Sequence, residues 1–143
     1  MNNPIEQVWD FIVRPENLDR ITPENMHFEI ISNVPEKMFT GLLIEYRITI
    51  PLFGPQRWLT EIKHIREGVS FVDEQRIGPY QFWYHLHEVQ ARGEATDIID
   101  RVTYQLPFGI LGNIVHRAII KKQLQQIFDY REVAFKRLLE NQA

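Results

Sequence analysis

The feature that most constrains this chain is a run of six segments with period-two alternation, none separated by enough residues for a helix. They cover His27–Asn33, Leu42–Ile50, Arg57–Arg66, Val69–Ile77, Gln81–Gln90 and Thr96–Leu106. The breaks between them carry turn residues: Pro35-Glu36, Pro51 to Pro55 with Gly54, Glu67-Gly68, Gly78-Pro79 and Gly93-Glu94. Such short connections force neighbouring strands to run antiparallel, so the middle of the chain is predicted to be a six-stranded meander.

Helical periodicity flanks the meander. Before it, Ile5, Val8, Trp9 and Ile12 recur at helical spacing behind Pro4, with Asn3 placed to cap and Pro15 to stop the helix. Residues 16–21 add a further turn before Thr22-Pro23. After it, Pro107-Phe108-Gly109 closes the sheet. From Ile110 one apolar stripe runs through Leu111, Ile114, Val115, Ala118 and Ile119, then drifts to Leu124, Ile127, Phe128, Phe135 and Leu138. No Pro or Gly follows Gly112, so one helix is predicted to reach Glu140, roughly 40–45 Å long. A short helix, a curved antiparallel sheet and one long C-terminal helix make an α+β domain, residues 1–143 as one unit. One helix covers only a strip of six strands. If the sheet curls around it, the uncovered concave area becomes an apolar hollow, the usual place for a small ligand.

Composition excludes much. The 143 residues contain no Cys, which removes disulfide frameworks, thiolate-bound zinc, iron–sulfur clusters and a catalytic thiol. A formal charge of −3 does not suit nucleic acid. The apolar runs are too short for a membrane span, and Pro4, Glu6 and Asp10 interrupt any leader-like start, so the expected compartment is the cytoplasm. From Gly109 onward six basic residues (Arg117, Lys121, Lys122, Arg131, Lys136, Arg137) face three acidic ones, read as the solvated face of the long helix.

Alternation and turn lengths place Trp58, Ile62, Phe71, Asp73, Trp83, His85, His87, Asp100, Val102 and Tyr104 on one face of the sheet. In that register His85 lies opposite Asp73 and His87 opposite Asp100, two His–Asp pairs in an aromatic lining. The pairs suit three roles: a satisfied network fixing register, a polar anchor for a ligand head, or general acid–base chemistry. The ligand-lining candidates are Trp58, Phe71, Trp83, His85, His87, Asp100 and Tyr104; the catalytic candidates are His85, His87, Asp73 and Asp100. A turn at Glu67-Gly68 puts His64 opposite Phe71 and Trp58 opposite Ile77, which would let His64 join His85 and His87 around a metal. The spacing nevertheless lacks a zinc signature, and no metal or cofactor is expected. Phosphate loops and a serine triad find no support.

A set of local motifs adds a resemblance. They are Pro15-Glu16-Asn17-Leu18, Ile21-Thr22-Pro23, Phe71-Val72-Asp73-Glu74-Gln75, Gly78-Pro79-Tyr80, Trp83-x-His85-x-His87, Asp100-x-Val102-x-Tyr104-x-Leu106-Pro107-Phe108-Gly109 and Ile127-Phe128-Asp129-Tyr130-Arg131. Taken together, across nearly the whole chain, they resemble the SRPBCC, or START-like, superfamily. The resemblance is to small stand-alone bacterial members described as polyketide cyclase/dehydrase-like or ligand-binding, and at times labelled cell-division-inhibitor-related. It implies a helix-grip fold, a cavity for a lipid, isoprenoid or polyketide-like molecule, and no cofactor. Some such domains sit beside or within an epimerase-like protein, which makes an epimerase-like partner a further reading. The alternatives stay open: a binding module, a cofactor-independent cyclase or dehydratase, or an interaction module. The family fold opens with a strand that Met1-Asn2-Asn3 are too few to form. The exposed edge is therefore expected to be covered by the amino terminus, a bulge or a second copy in a homodimer.

Overall fold

The computed structural model describes residues 1–50, 53–107 and 110–140, with side chains of the last segment described from 117 to 139. Helix α1 (Ile5–Ile12), the short α2 (Asn17–Arg20) and a 3₁₀ turn at Glu24–Met26 lead into six strands: β1 (Glu29–Ile30), β2 (Leu43–Ile50), β3 (Gly54–Arg66), β4 (Ser70–Ile77), β5 (Phe82–Arg92) and β6 (Ala95–Gln105). Helix α3 (Ile110–Glu140) closes the chain. The strands form one antiparallel sheet in sequence order, as the short connections require. The expected turn at Pro51 and the closure at Phe108-Gly109 fall on residues outside those described.

The register follows turn length. Arg92 pairs with Ala95, which sets His87 opposite Asp100, His85 opposite Val102 and Trp83 opposite Tyr104. Phe71 pairs with His87 and Asp73 with His85. Two irregularities break the pairing of β3 with β4. Between Leu59 and Thr60 the register shifts, so Leu59 rather than Trp58 pairs with Ile77. Between Lys63 and Arg66 one extra residue enters β3, and His64 takes a left-handed φ of 53°. That bulge turns His64 out to solvent and Ile65 toward the core. The expectation of His64 opposite Phe71, within reach of His85 and His87, is thereby corrected.

Two other local expectations change. Asn3 does not cap α1: Pro4 holds that position, and the Asn3 amide donates to Gln7 Oε1 (2.9 Å) and the Leu139 carbonyl (3.3 Å). In the described first half of α3 Ile120 is fully covered, while Ala118 and Ile119 are exposed. The stripe led by Leu124, Ile127, Phe128 and Phe135 sets the face of this one helix, and Ile119 lies about 100° away from Ile120 around it.

The amino terminus covers part of the outer edge. Met1 N donates to the Thr96 carbonyl at 2.8 Å, and Thr96 N donates to the Met1 carbonyl at 2.8 Å. Thr96 Oγ1, fully buried, donates to the Asn3 carbonyl at 2.8 Å.

Two apolar clusters pack the domain. One joins α1 (Val8, Trp9, Phe11, Ile12) to Ile44, Ile62, Phe71 and the end of α3 at Phe135 and Leu139, with Phe11 edge-on to Phe135 at 5.5 Å. The other gathers Ile50, Trp58, Tyr80, Trp83, Leu106 and Ile120. The hollow lies between them.

Candidate functional site

The hollow holds about 110 Å³ of free space between the concave sheet face and α3. A buried water needs roughly 10–15 Å³ on that measure, so several waters or a small molecule fit. Its walls are mainly apolar and aromatic: Ile44, Tyr46 and Ile48 from β2, Trp58 from β3, Phe71 from β4, and Ile127 and Phe128 from α3. Tyr46 stacks on Trp58 at 5.9 Å, and Trp58 meets Trp83 edge-on at 5.3 Å.

One part of this wall is polar. Asp73, His85, His87 and Asp100 form a closed ring. His85 Nε2 lies 2.8 Å from Asp100 Oδ1 and its Nδ1 3.1 Å from Asp73 Oδ2. His87 Nε2 lies 2.7 Å from Asp73 Oδ2 and its Nδ1 2.9 Å from Asp100 Oδ1. Each histidine therefore meets both carboxylates, and its shorter contact is with the carboxylate diagonal to it. The expectation of two separate cross-strand pairs becomes one four-membered network. The imidazoles lie against each other, tilted by 36° with centroids 3.7 Å apart, and Phe71 stacks on His87 at 4.4 Å. Trp83 Nε1 adds a third donor to Asp73 at 3.1 Å.

Both nitrogens of each imidazole face a carboxylate oxygen. A doubly protonated ring satisfies that arrangement; a neutral ring would point a lone pair at an oxygen. Burial acts to lower the His87 pKa, but its hydrogen bonds to Asp100 and Asp73 outweigh it and raise it to about 9. Burial acts to raise Asp73, yet the charge of His85 and the bonds from both histidines hold its carboxyl well below the usual range. Asp100 is likewise held low against burial by its bonds to His85 and His87. Burial pushes the Tyr46 and Tyr80 phenols upward, so both stay protonated at neutral pH.

Of the residues singled out from sequence, Trp58, Phe71, Asp73, Trp83, His85 and His87 line the hollow. Asp100 completes the ring and faces a second depression between β6 and α3, which shares Phe128 and Arg131 with the hollow. Tyr104 packs against Tyr80 at 5.8 Å and Trp83 at 6.4 Å without lining the space. Asp73, His85 and His87 each bring one donor atom to within 4.8 Å of the others and are the candidate cation ligands among the described residues. The fold reading missed Tyr46, which the Ile44-x-Tyr46-x-Ile48 alternation signals, and Arg131, counted with the solvated face of α3 although it lines the hollow. Among the described residues no helix is long and apolar enough to cross a membrane.

Three solved structures share this architecture. TTHA0849 from Thermus thermophilus aligns over all of this chain and 94% of its own, with a TM-score of 0.76 and 18% identity. Ara h 8.0201 aligns over 94% of this chain and 91% of its own, with a TM-score of 0.60 and 17% identity. The fold is a helix grip. A nucleoside-diphosphate sugar epimerase from Corynebacterium glutamicum also contains it: 96% of this helix-grip chain aligns with 27% of that enzyme, with a TM-score of 0.69 and 22% identity. No family model and no curated protein matches the sequence.

Proposed function

We propose that this helix-grip domain binds a small hydrophobic or amphipathic molecule, of lipid, isoprenoid or polyketide-like character, between the sheet and α3. The observation that carries the reading is the interruption of the core: two packed clusters leave an apolar, aromatic hollow with a few convergent polar groups. The ring serves as a rigid polar wall that orients the head of the guest. A cofactor-independent cyclase or dehydratase would need a free imidazole nitrogen facing the hollow. Engagement of both nitrogens of His85 and His87 by carboxylates favours binding over that chemistry. The likeness to part of an epimerase supports a second reading, a ligand-holding module beside an epimerase-like enzyme. Copurification of the chain with such an enzyme from its own genome tests that arrangement.

Calorimetric titration with octanol and octanoate tests the binding itself. Saturable binding of at least one is expected. Ile127→Trp, which fills the hollow from α3, should weaken it about tenfold or more at unchanged fold. No saturable binding of either compound overturns the proposal.

A further inference from the structure

Three buried groups in the hollow wall have no hydrogen-bond partner, Trp58 Nε1, Arg131 Nε and Thr60 Oγ1, and the first two can only donate. Trp58 is 5% exposed, and its indole N–H meets no oxygen, whereas the other two indoles are bonded: Trp9 to Glu67 at 2.7 Å and Trp83 to Asp73 at 3.1 Å. Arg131 Nε is likewise buried without an acceptor, and no carboxylate lies within ion-pair range of its guanidinium among the described residues. What Arg131 does touch is the face of Phe128, at 5.7 Å. A buried N–H without a partner is costly. Trp58 and Arg131 can only donate, so whatever satisfies them must accept.

Charge points the same way. Both carboxylates of the ring already face imidazole nitrogens, so neither is left as a counter-charge for Arg131. Arg131 is then the unbalanced charge in the wall, and it is positive. Tyr46, which stacks on Trp58, lines the same hollow as both donors. Arg131 also lines the depression between β6 and α3, so it stands where the hollow meets the outside.

We infer that the guest carries a carboxylate head, held by the Arg131 guanidinium and the Trp58 N–H, with its apolar part against the aromatic wall. The inference rests on the binding reading above and adds the chemistry of the head. The guanidinium fork suits a planar carboxylate, and a cationic head would meet the like charge of Arg131.

The test is a set of ligands with one tail and four heads: octanoate, its methyl ester, octanol and octylamine. Octanoate should bind the wild-type protein roughly 10–100-fold more tightly than octanol or the ester, the range of one charge-assisted bond, with octylamine weakest. Arg131→Gln should bring octanoate down to the affinity of octanol while leaving octanol unchanged, and Arg131→Lys should keep part of the preference. Trp58→Phe should weaken octanoate and spare octanol. Equal binding of octanoate and octanol overturns this inference and leaves the binding reading intact; tighter octylamine, or a preference that survives Arg131→Gln, also overturns it. Should Arg131→Gln fail to fold, the comparison of acid with ester on the wild-type protein decides alone. If none of the four binds, both proposals fall.

Discussion

At Asp73 three donors converge, from Trp83, His85 and His87, and at Asp100 two. That concentration of charge gives the site its pH dependence. The His87 pKa is raised from 6.5 to about 9, so its contribution to stability is full below 6.5 and is lost as pH rises through about 9. The two carboxylates are lowered from 3.8, so theirs is full above 3.8 and is lost as pH falls below it. Urea midpoints should therefore be highest between about pH 4 and 6.5 and fall from neutral pH toward 9, with a smaller fall in Asp100→Asn over the alkaline half, since Asp73 still holds His87. His87→Phe should cost about 2–4 kcal/mol, because it leaves two partly buried carboxylates sharing one histidine. A loss under 1 kcal/mol in denaturant melts would mean that the ring is not a structural unit. Cross-strand alternation makes the facing of these four residues legible. Their diagonal bonding is not, because side-chain rotamers and the imidazole stack decide which nitrogen meets which oxygen.

Periodicity places strands and helices to within a few residues, and the failures lie where periodicity stops ruling. On β3 the extra residue between Lys63 and Arg66 reverses the faces beyond it, and nothing in Lys63-His64-Ile65 marks a bulge as Gly would. His64→Gly should be neutral or stabilising by up to about 1 kcal/mol, since Gly adopts φ of 53° without strain. A loss of stability in thermal melts would show that the side chain matters to the bulge. On α3 two apolar registers compete, and a straight helix can face only one way. Ile120→Ala should cost about 2–5 kcal/mol and Ile119→Ala within about 0.5 kcal/mol. Equal effects would place the helix in a different rotation. Phe128 is half-buried beside the hollow, edge-on to His85 at 5.5 Å, so Phe128→Ala should cost about 1–2 kcal/mol, less than a packed core phenylalanine. Arg131 escapes a reading by composition for the same reason as Ile120: helix rotation decides which basic residue turns inward.

The whole molecule is a sheet too wide for its one long helix, plugged at both ends and open between. That much follows from the meander and the long helix alone. Where the hollow sits, and which donors are left unsatisfied in it, depends on the packing of Trp58, Tyr46 and α3. A guest that fits should raise the melting temperature with concentration, by mass action on the folded state. The three tryptophans offer the most direct test. Trp58 and Trp83 line the hollow, while Trp9 lies outside it with its N–H on Glu67. In a proton–nitrogen correlation spectrum each indole N–H gives one signal. Octanoate should shift the Trp58 signal strongly downfield as its N–H gains an acceptor, move Trp83 less and leave Trp9 in place. A Trp58 signal that stays fixed while octanoate binds, or shifts confined to Trp9, would contradict a ligand seated between the sheet and the helix.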